Sequence, residues 1–260
     1  MDYYHAIVLG LLQGATEFLP VSSSGHLAIL SHISRMPEQA RLGLAAALHA
    51  GTAVSLLVFF GRRIAAIARD AVRRERAVRN ASWRYIGKIT LATVPAVLVG
   101  LLLLPLIDRA FATMLVVGAM LLVTGTLLLI TRLRTEAARP LGWMRALAIG
   151  AAQAFAILPG ISRSGVTIAA GLLLGLSRRE AFEFSFIMSV PIVIVAALRE
   201  LLRLDRQILA PGPVALGILL AFAAGLGALV LLRRAVLGRR FYLFGIYCWL
   251  AGLAVIALLR

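Results

Sequence analysis

Six apolar runs along the chain have about the 20 residues a helix needs to cross a hydrocarbon core: 42–60, 86–107, 110–131, 181–198, 213–232 and 241–259. The remaining apolar stretches are too short and fall in pairs. Residues 4–19, broken by Gln13 and Glu17, are followed by 27–33, and residues 146–158 are followed by 166–176. A loop of proline, glycine and serine joins the members of each pair. The pattern therefore predicts two re-entrant helical hairpins, 4–34 and 146–176. Non-helical backbone at membrane depth is tolerated only where protein or a wet cavity satisfies its hydrogen bonds, so both hairpin tips belong at a site.

The two hairpins are repeats. A shift of 140 residues superposes Gly10 on Gly150, Gln13 on Gln153, Ser22 on Ser162, Ser24 on Ser164 and Gly25 on Gly165. Shared apolar composition does not produce five such identities in a 16-residue window. Each half is then one hairpin plus three spans, and an odd number of spans inserts the second half upside down. This is the inverted-repeat design with a midplane site. The predicted fold class is an all-α polytopic membrane protein of two inverted-topology repeats, residues 1–133 and 141–260.

Composition agrees. The chain of 260 residues is 61% hydrophobic, with a mean hydropathy of +0.95, against about 45–50% apolar for a soluble domain. A net charge of +16 would suit nucleic acid, but its placement speaks for a membrane. Nineteen of the 27 basic residues fall in 61–88, 132–145, 178–179 and 233–240. Seven lie on the opposite face (Arg35, Arg41, Arg109, Arg199, Arg203, Arg206 and Arg260), and Arg163 belongs to neither. With six spans the nineteen share one face, as expected of cytoplasmic loops beside anionic lipid. Both termini and the first hairpin then face outward, and the second hairpin enters from the cytoplasm. The arginine-rich 61–88 stretch is read as a solvated, lipid-facing loop that sets orientation, in preference to a surface helix or partner site. Cys248, the single cysteine, is read as a small apolar packing residue. The N-terminus lacks the basic leader of a cleaved signal peptide. Gly171 and Gly175 form a small-xxx-small pair suited to close helix packing.

Candidate chemistry concentrates in the hairpins. Gln13 and Glu17, four apart, share a helix face. A carboxylate at the membrane centre costs about 2.5–3.5 kcal/mol on insertion scales, enough to demand a partner or a cavity. This oxygen-bearing pair suits a hard divalent cation, Mg²⁺ or Ca²⁺, held loosely with water and substrate phosphate. Ser22, Ser23, Ser24 and Gly25 follow the helix-breaking Pro20 and open a new helix, where amides and hydroxyls cradle anions. At least one of these serines is expected to be only an N-cap. A serine becomes a nucleophile beside a base, and His26, three residues beyond Ser23, is placed to meet it across the turn. Arg163 stands in Pro159-Gly-Ile-Ser-Arg-Ser-Gly-Val-Thr167 with no acidic neighbour. Its planar fork matches phosphate oxygens, and an ion pair with Glu17 is expected while the site is empty. Ser162, Ser164 and Thr167 would add donors. Glu183 is expected at the interface beside Arg178 and Arg179. His5, His32 and His49 are read as structural, with His49 set apart by its mid-span position. Walker loops, dinucleotide fingerprints and Cys/His metal spacings are absent.

Gln13-x-x-x-Glu17 running into Pro20-Val-Ser-Ser-Ser-Gly-His26, paired with the Pro159–Thr167 loop, resembles the undecaprenyl-diphosphate phosphatases, the bacitracin-resistance integral membrane family. The resemblance spans the whole chain in length, span count and motif order. It implies hydrolysis of undecaprenyl diphosphate to undecaprenyl phosphate and inorganic phosphate in the bacterial inner membrane. That reaction recycles the lipid carrier for peptidoglycan and other envelope polymers. Bacitracin then competes for the substrate rather than binding the protein. The resemblance also implies residue roles. Glu17, Ser23, His26 and Arg163 form the catalytic set, with Ser23 as nucleophile or phosphate-positioning hydroxyl and His26 as acid/base or competing nucleophile. Gln13 and Glu17 bear on the metal or on diphosphate positioning. Arg163 clamps phosphate with Ser162, Ser164 and Thr167, beside Ser22, Ser24 and Gly25. Gln13 stands where other members carry glutamate, which weakens a two-carboxylate metal site. The site is expected to open to the periplasm. The implied partners are a polyprenyl diphosphate and membrane lipids, with a homodimer left open. The rival class is a polyprenyl-phosphate transporter or flippase, for which a Ser–His–Glu proton shuttle would be superfluous.

Overall fold

The computed structural model describes residues 3–33, 38–102, 113–134, 137–202 and 211–258, with backbone alone at 31–33, 38–46 and 199–202. Among the described residues there is no strand. The helices are α1 (Tyr3–Phe18), α2 (Ser23–Ile33), α3 (Glu38–Ala71), α4 (Arg76–Leu102), α5 (Met114–Ile130), α6 (Trp143–Phe155), α7 (Arg163–Leu173), α8 (Arg178–Leu202), α9 (Pro211–Leu237) and α10 (Leu243–Leu258). A 3₁₀ turn, Thr131–Leu133, follows α5.

Among the described residues five segments are long and apolar enough to cross a membrane: Ala47–Ala71, Arg76–Leu102, Met114–Leu133, Arg178–Leu198 and Pro211–Leu237. The sixth expected span, 241–259, is represented by α10, which has only 16 residues, about 24 Å at about 1.5 Å per residue. Before it, α9 runs on to Leu237 and the chain turns through Arg239 at φ 60° before helix resumes. The expected hairpins are pairs of short helices. Their second arms, α2 and α7, have 11 residues each, about 16 Å and so roughly half of a 30 Å hydrocarbon core. Both arms begin earlier than their apolar runs, at Ser23 and at Arg163.

Residues 61–88 are not a loop. α3 continues to Ala71 and α4 begins at Arg76, leaving 72–75 as the turn. Alanine and arginine are strong helix formers, so charge interrupts the hydropathy without interrupting the helix. Ser82 Oγ donates to the Ile67 carbonyl at 2.8 Å and Trp83 Nε1 to the Ala71 carbonyl at 3.1 Å, tying the two helices together.

The four basic segments meet at one end of the bundle. Lys88 Nζ donates to the Leu141 carbonyl, Arg139 N to the Gly175 carbonyl and Arg178 Nη1 to the Val236 carbonyl. Arg132 lies 5.0 Å from the Tyr242 ring centroid. Glu183 pairs there with Arg179 at 2.8 Å and Arg63 at 3.7 Å. Arg35, Arg109, Arg203, Arg206 and Arg260, and the side chains of Arg41 and Arg199, lie outside the described residues, as does the side chain of His32.

Packing fixes where the hairpin tips go. α1 lies along α9, α6 along α4, and α5 against α10, while α3 contacts α8 and α9. Close approach carries two of these contacts. A Cβ added at Gly14 would stand 2.5 Å from the Ala221 carbonyl of α9, and one at Gly150 would strike the Ala92 carbonyl of α4. Gly171 packs likewise on Ala181, whereas Gly175 serves as a left-handed turn at φ +88° rather than as a packing glycine. Phe18, Phe60, Phe182 and Phe186 form a buried aromatic layer beside the first tip.

Candidate active site

The two tips touch. A Cβ at Gly25 would meet Gly160 Cα at 3.3 Å, and one at Gly165 would meet Pro20 Cβ at 3.2 Å. Under the 140-residue shift Gly25 corresponds to Gly165 and Pro20 to Gly160, so this is one contact made twice. The caps are equally matched. Ser22 Oγ accepts the Gly25 amide at 3.2 Å and lies 3.2 Å from Ser24 Oγ. Ser162 Oγ accepts the Gly165 amide at 3.1 Å and lies 3.2 Å from Ser164 Oγ. Gly160, at φ +93°, turns the second tip in a conformation that L side chains avoid.

Glu17 is the hub between the tips. Its Oε2 accepts Ser23 Oγ–H at 2.8 Å and Gln13 Nε2–H at 3.0 Å, and Arg163 Nη2 donates to its Oε1 at 3.2 Å. Arg163 and Glu17 form an ion pair, with side chains 19% and 14% exposed. Residual exposure of this size leaves both groups reachable by a ligand. His49 Nε2 is 3.7 Å from Glu17 Oε2, so the mid-span histidine read as structural stands at the hub.

Ser23 and His26 do not meet as expected, because each has another partner. Ser23 gives its proton to Glu17. His26 Nδ1 is 2.8 Å from the Ser22 carbonyl, and its Nε2 is 2.6 Å from Tyr247 Oη on α10. Ser22 sits at φ 68°, which costs a non-glycine residue about 1–2 kcal/mol.

The residues expected at the site differ in burial. Ser23, Ser24, His26 and Arg163 are partly exposed, whereas Gln13, Ser22, Gly25, Ser162, Ser164 and Thr167 are buried. Thr167 Oγ1 donates to the Arg163 carbonyl and also hydrogen-bonds Ser185 of α8, so it braces α7. Thr124 does related work unseen in the sequence. Its Oγ1 donates to the Gly160 carbonyl at 3.0 Å and accepts the Ser162 amide at 3.1 Å, pinning the second tip to α5.

The family model for bacitracin resistance protein BacA matches residues 6–254. The chain belongs to this family. Among curated proteins it is similar to the undecaprenyl-diphosphatase of Syntrophotalea carbinolica, at 42% identity over 256 residues and 97% of both chains. The undecaprenyl-diphosphatase of Desulfosudis oleivorans is also 42% identical, again over 97% of both chains. That of Korarchaeum cryptofilum is 36% identical over the full length of both. Five apolar helices of spanning length among the described residues, in a chain of the BacA family, make this a multi-pass membrane protein.

A divalent cation is implied by resemblance to the family, and the donor set can be tested against it. Among the described residues no three His, Cys, Asp or Glu side chains cluster as metal ligands. Gln13 Oε1, however, is buried without a hydrogen-bond partner, one helical turn from Glu17. An orphaned carbonyl oxygen beside a carboxylate fits a hard cation that completes its shell with water and phosphate. Gln13 and Glu17 are the residues that would hold it.

Proposed function

We propose that this protein hydrolyses undecaprenyl diphosphate to undecaprenyl phosphate and inorganic phosphate. The observation that carries this reading is a serine hydroxyl on a carboxylate, with an arginine on the carboxylate's other oxygen. Binding an anion calls for the arginine. Binding alone has no use for a hydroxyl aligned on a base, which favours hydrolysis over carriage of a polyprenyl phosphate.

The mechanism follows from those contacts. An entering diphosphate draws Arg163 from Glu17 onto its own oxygens, where a bidentate guanidinium holds charge in place. Ser23 Oγ attacks the terminal phosphorus in line. Its proton passes to Glu17, and the bond to the bridging oxygen breaks, releasing polyprenyl monophosphate. Water then attacks the phosphoserine and gives a proton to His26. Ser23 Oγ leaves and recovers its proton from Glu17. Positioning and charge stabilisation account for most of such a barrier. A cation bound by Gln13 and Glu17 would neutralise further charge on the diphosphate.

The architecture we infer is two inverted repeats, 1–133 and 141–260, each a re-entrant hairpin and three membrane helices. Its support is the exchange of partners: α1 packs on α9 as α6 packs on α4, and the tip contact is made twice. In the bacterial inner membrane the basic end faces the cytoplasm, both termini lie outside and the site opens to the periplasm. Consuming the diphosphate there removes the molecule bacitracin captures, so the enzyme confers bacitracin resistance. Phosphate release from polyprenyl diphosphate by purified protein in detergent, where transport is impossible, tests the activity. Binding without release would convert the reading to a carrier.

A further inference from the structure

The proton bound for His26 meets Tyr247 first, because the Tyr247 hydroxyl stands on the one nitrogen of the ring that can accept it. We propose that Tyr247 orients the His26 ring and relays that proton, its Oη taking a proton from the water as its own hydroxyl proton passes to His26 Nε2. The inference rests on the acid–base role given to His26 above. The Ser22 carbonyl can only accept, so the Nδ1 atom 2.8 Å away carries hydrogen. The Nε2 of a neutral ring is then the acceptor, and at 2.6 Å it takes the Tyr247 hydroxyl proton. The ring planes are 9° apart with centroids 5.7 Å apart, so the two rings lie edge to edge along this hydrogen bond. One hydrogen bond on each nitrogen therefore holds the imidazole.

Both supports are themselves fastened. The Ser22 carbonyl also accepts the His26 amide at 3.1 Å, which keeps it aimed at the histidine. Cys248, next to Tyr247 and fully buried, donates from Sγ to the Pro20 carbonyl at 3.3 Å, attaching α10 to the first tip. α10 packs along α5, and an added Cβ at Gly125 or Gly252 would stand 2.8 Å from the Gly245 or Gly118 carbonyl across that contact. A tyrosine on an apolar helix is ordinarily a membrane-interface anchor. An anchor would work through its ring and its depth, whereas a relay works through its hydroxyl and through His26.

Tyr247→Phe keeps the ring and removes the hydroxyl. Kinetics on polyprenyl diphosphate are expected to show kcat down about 10- to 100-fold with KM unchanged, as when partners that orient metal-bound histidines are removed. In a His26→Gln background the same change should have no further effect, since coupled residues do not add. Diethyl pyrocarbonate labelling of His26, followed by mass spectrometry, should run several-fold faster in Tyr247→Phe because Nε2 is uncapped. Wild-type kcat, an equal fall in both backgrounds, or unchanged labelling would overturn the assignment. If His26→Gln itself keeps wild-type activity, the acid–base reading of His26 has failed, and the labelling rate still decides whether Tyr247 holds the ring.

Discussion

Replacing Glu17 by glutamine tests the hub with the smallest change of shape. The carboxylate has two oxygens facing donors: Ser23 and Gln13 on Oε2, and Arg163 on Oε1. An amide offers one oxygen, and its NH₂ must point at Arg163 or at Ser23 and Gln13, so one set of hydrogen bonds is lost whichever way it turns. For stability, removing one partner of a buried pair costs about 3–5 kcal/mol. Side chains 14% and 19% exposed let water reach the stranded guanidinium, which brings the expected loss to about 1–3 kcal/mol. For catalysis, losing a positioned base costs about 10²–10⁴-fold, or roughly 2.7–5.5 kcal/mol at 1.36 kcal/mol per decade. The two effects are separable because Arg163 is released rather than removed. Glu17→Gln should therefore lower kcat by about 10²–10⁴ while leaving KM unchanged or lower, and inorganic phosphate should inhibit more tightly than it does the wild type. Initial rates of phosphate release across substrate concentration, with phosphate inhibition on the same preparation, give all three values. A raised KM with unchanged kcat would assign Glu17 to binding alone and refute the proton transfer.

Three further outcomes follow from other contacts. Arg163→Lys keeps the charge but loses the fork, so kcat/KM should fall about 10–100-fold, the worth of roughly one bidentate hydrogen bond to an anion at 1.4–2.8 kcal/mol; steady-state kinetics measure it. Gly14→Ala places a methyl 2.5 Å from the Ala221 carbonyl and 2.7 Å from Ala224 Cβ, overpacking worth about 1–3 kcal/mol. Thermal unfolding in detergent should drop by several degrees, whereas Gly61→Ala, with nothing within 4 Å, should not move it. Chelation should abolish phosphate release and Mg²⁺ or Ca²⁺ should restore it. Gln13→Leu should raise the cation concentration needed for half-restoration, read from an activity titration.

The parts of this structure legible in the sequence are those whose signals are local. Breaks at Pro20 and Pro159 end the apolar runs, and small polar residues restart a helix, so both hairpins could be located and their facing tips anticipated. Arg163 and Glu17 stood out because charge in an apolar run demands a partner, and they are each other's. Helix limits were less legible, because hydropathy registers the arginines after Phe60 while helix propensity continues through them to Ala71. Contacts across long separations left no mark. Thr124 and Tyr247 are unremarkable in apolar helices, and their roles arise only when α5 and α10 close on the tips. The expected Ser23–His26 pairing rested on nearness along the chain. Glu17 and Tyr247, from other helices, offer each of them a better-placed partner.

The duplicated scaffold also explains why the chemistry is not duplicated. The caps of α2 and α7 make the same hydrogen bonds, so the frame is common to both halves. On that frame Ser23 corresponds to Arg163, Glu17 to Ile157 and His26 to Val166 under the 140-residue shift. A second glutamate at Ile157 would bring like charge to a site that must accept a diphosphate, and a second arginine at Ser23 would remove the nucleophile and leave two guanidinium groups to one carboxylate. Opposite charges across the contact avoid both outcomes: in the proposed mechanism one half supplies hydroxyl and base, the other the cation that holds the substrate. The Arg163–Glu17 pair is then the resting state of that division, neutral while the site is empty and opened by an anion that competes for the arginine. A guanidinium this buried is costly to leave unpaired, so Glu17→Gln and Arg163→Ala should not be additive. Once either partner is gone, removing the other should cost far less stability than it does alone, and a double-mutant cycle on thermal unfolding that returned simple sums would show that the two halves are not coupled through this pair.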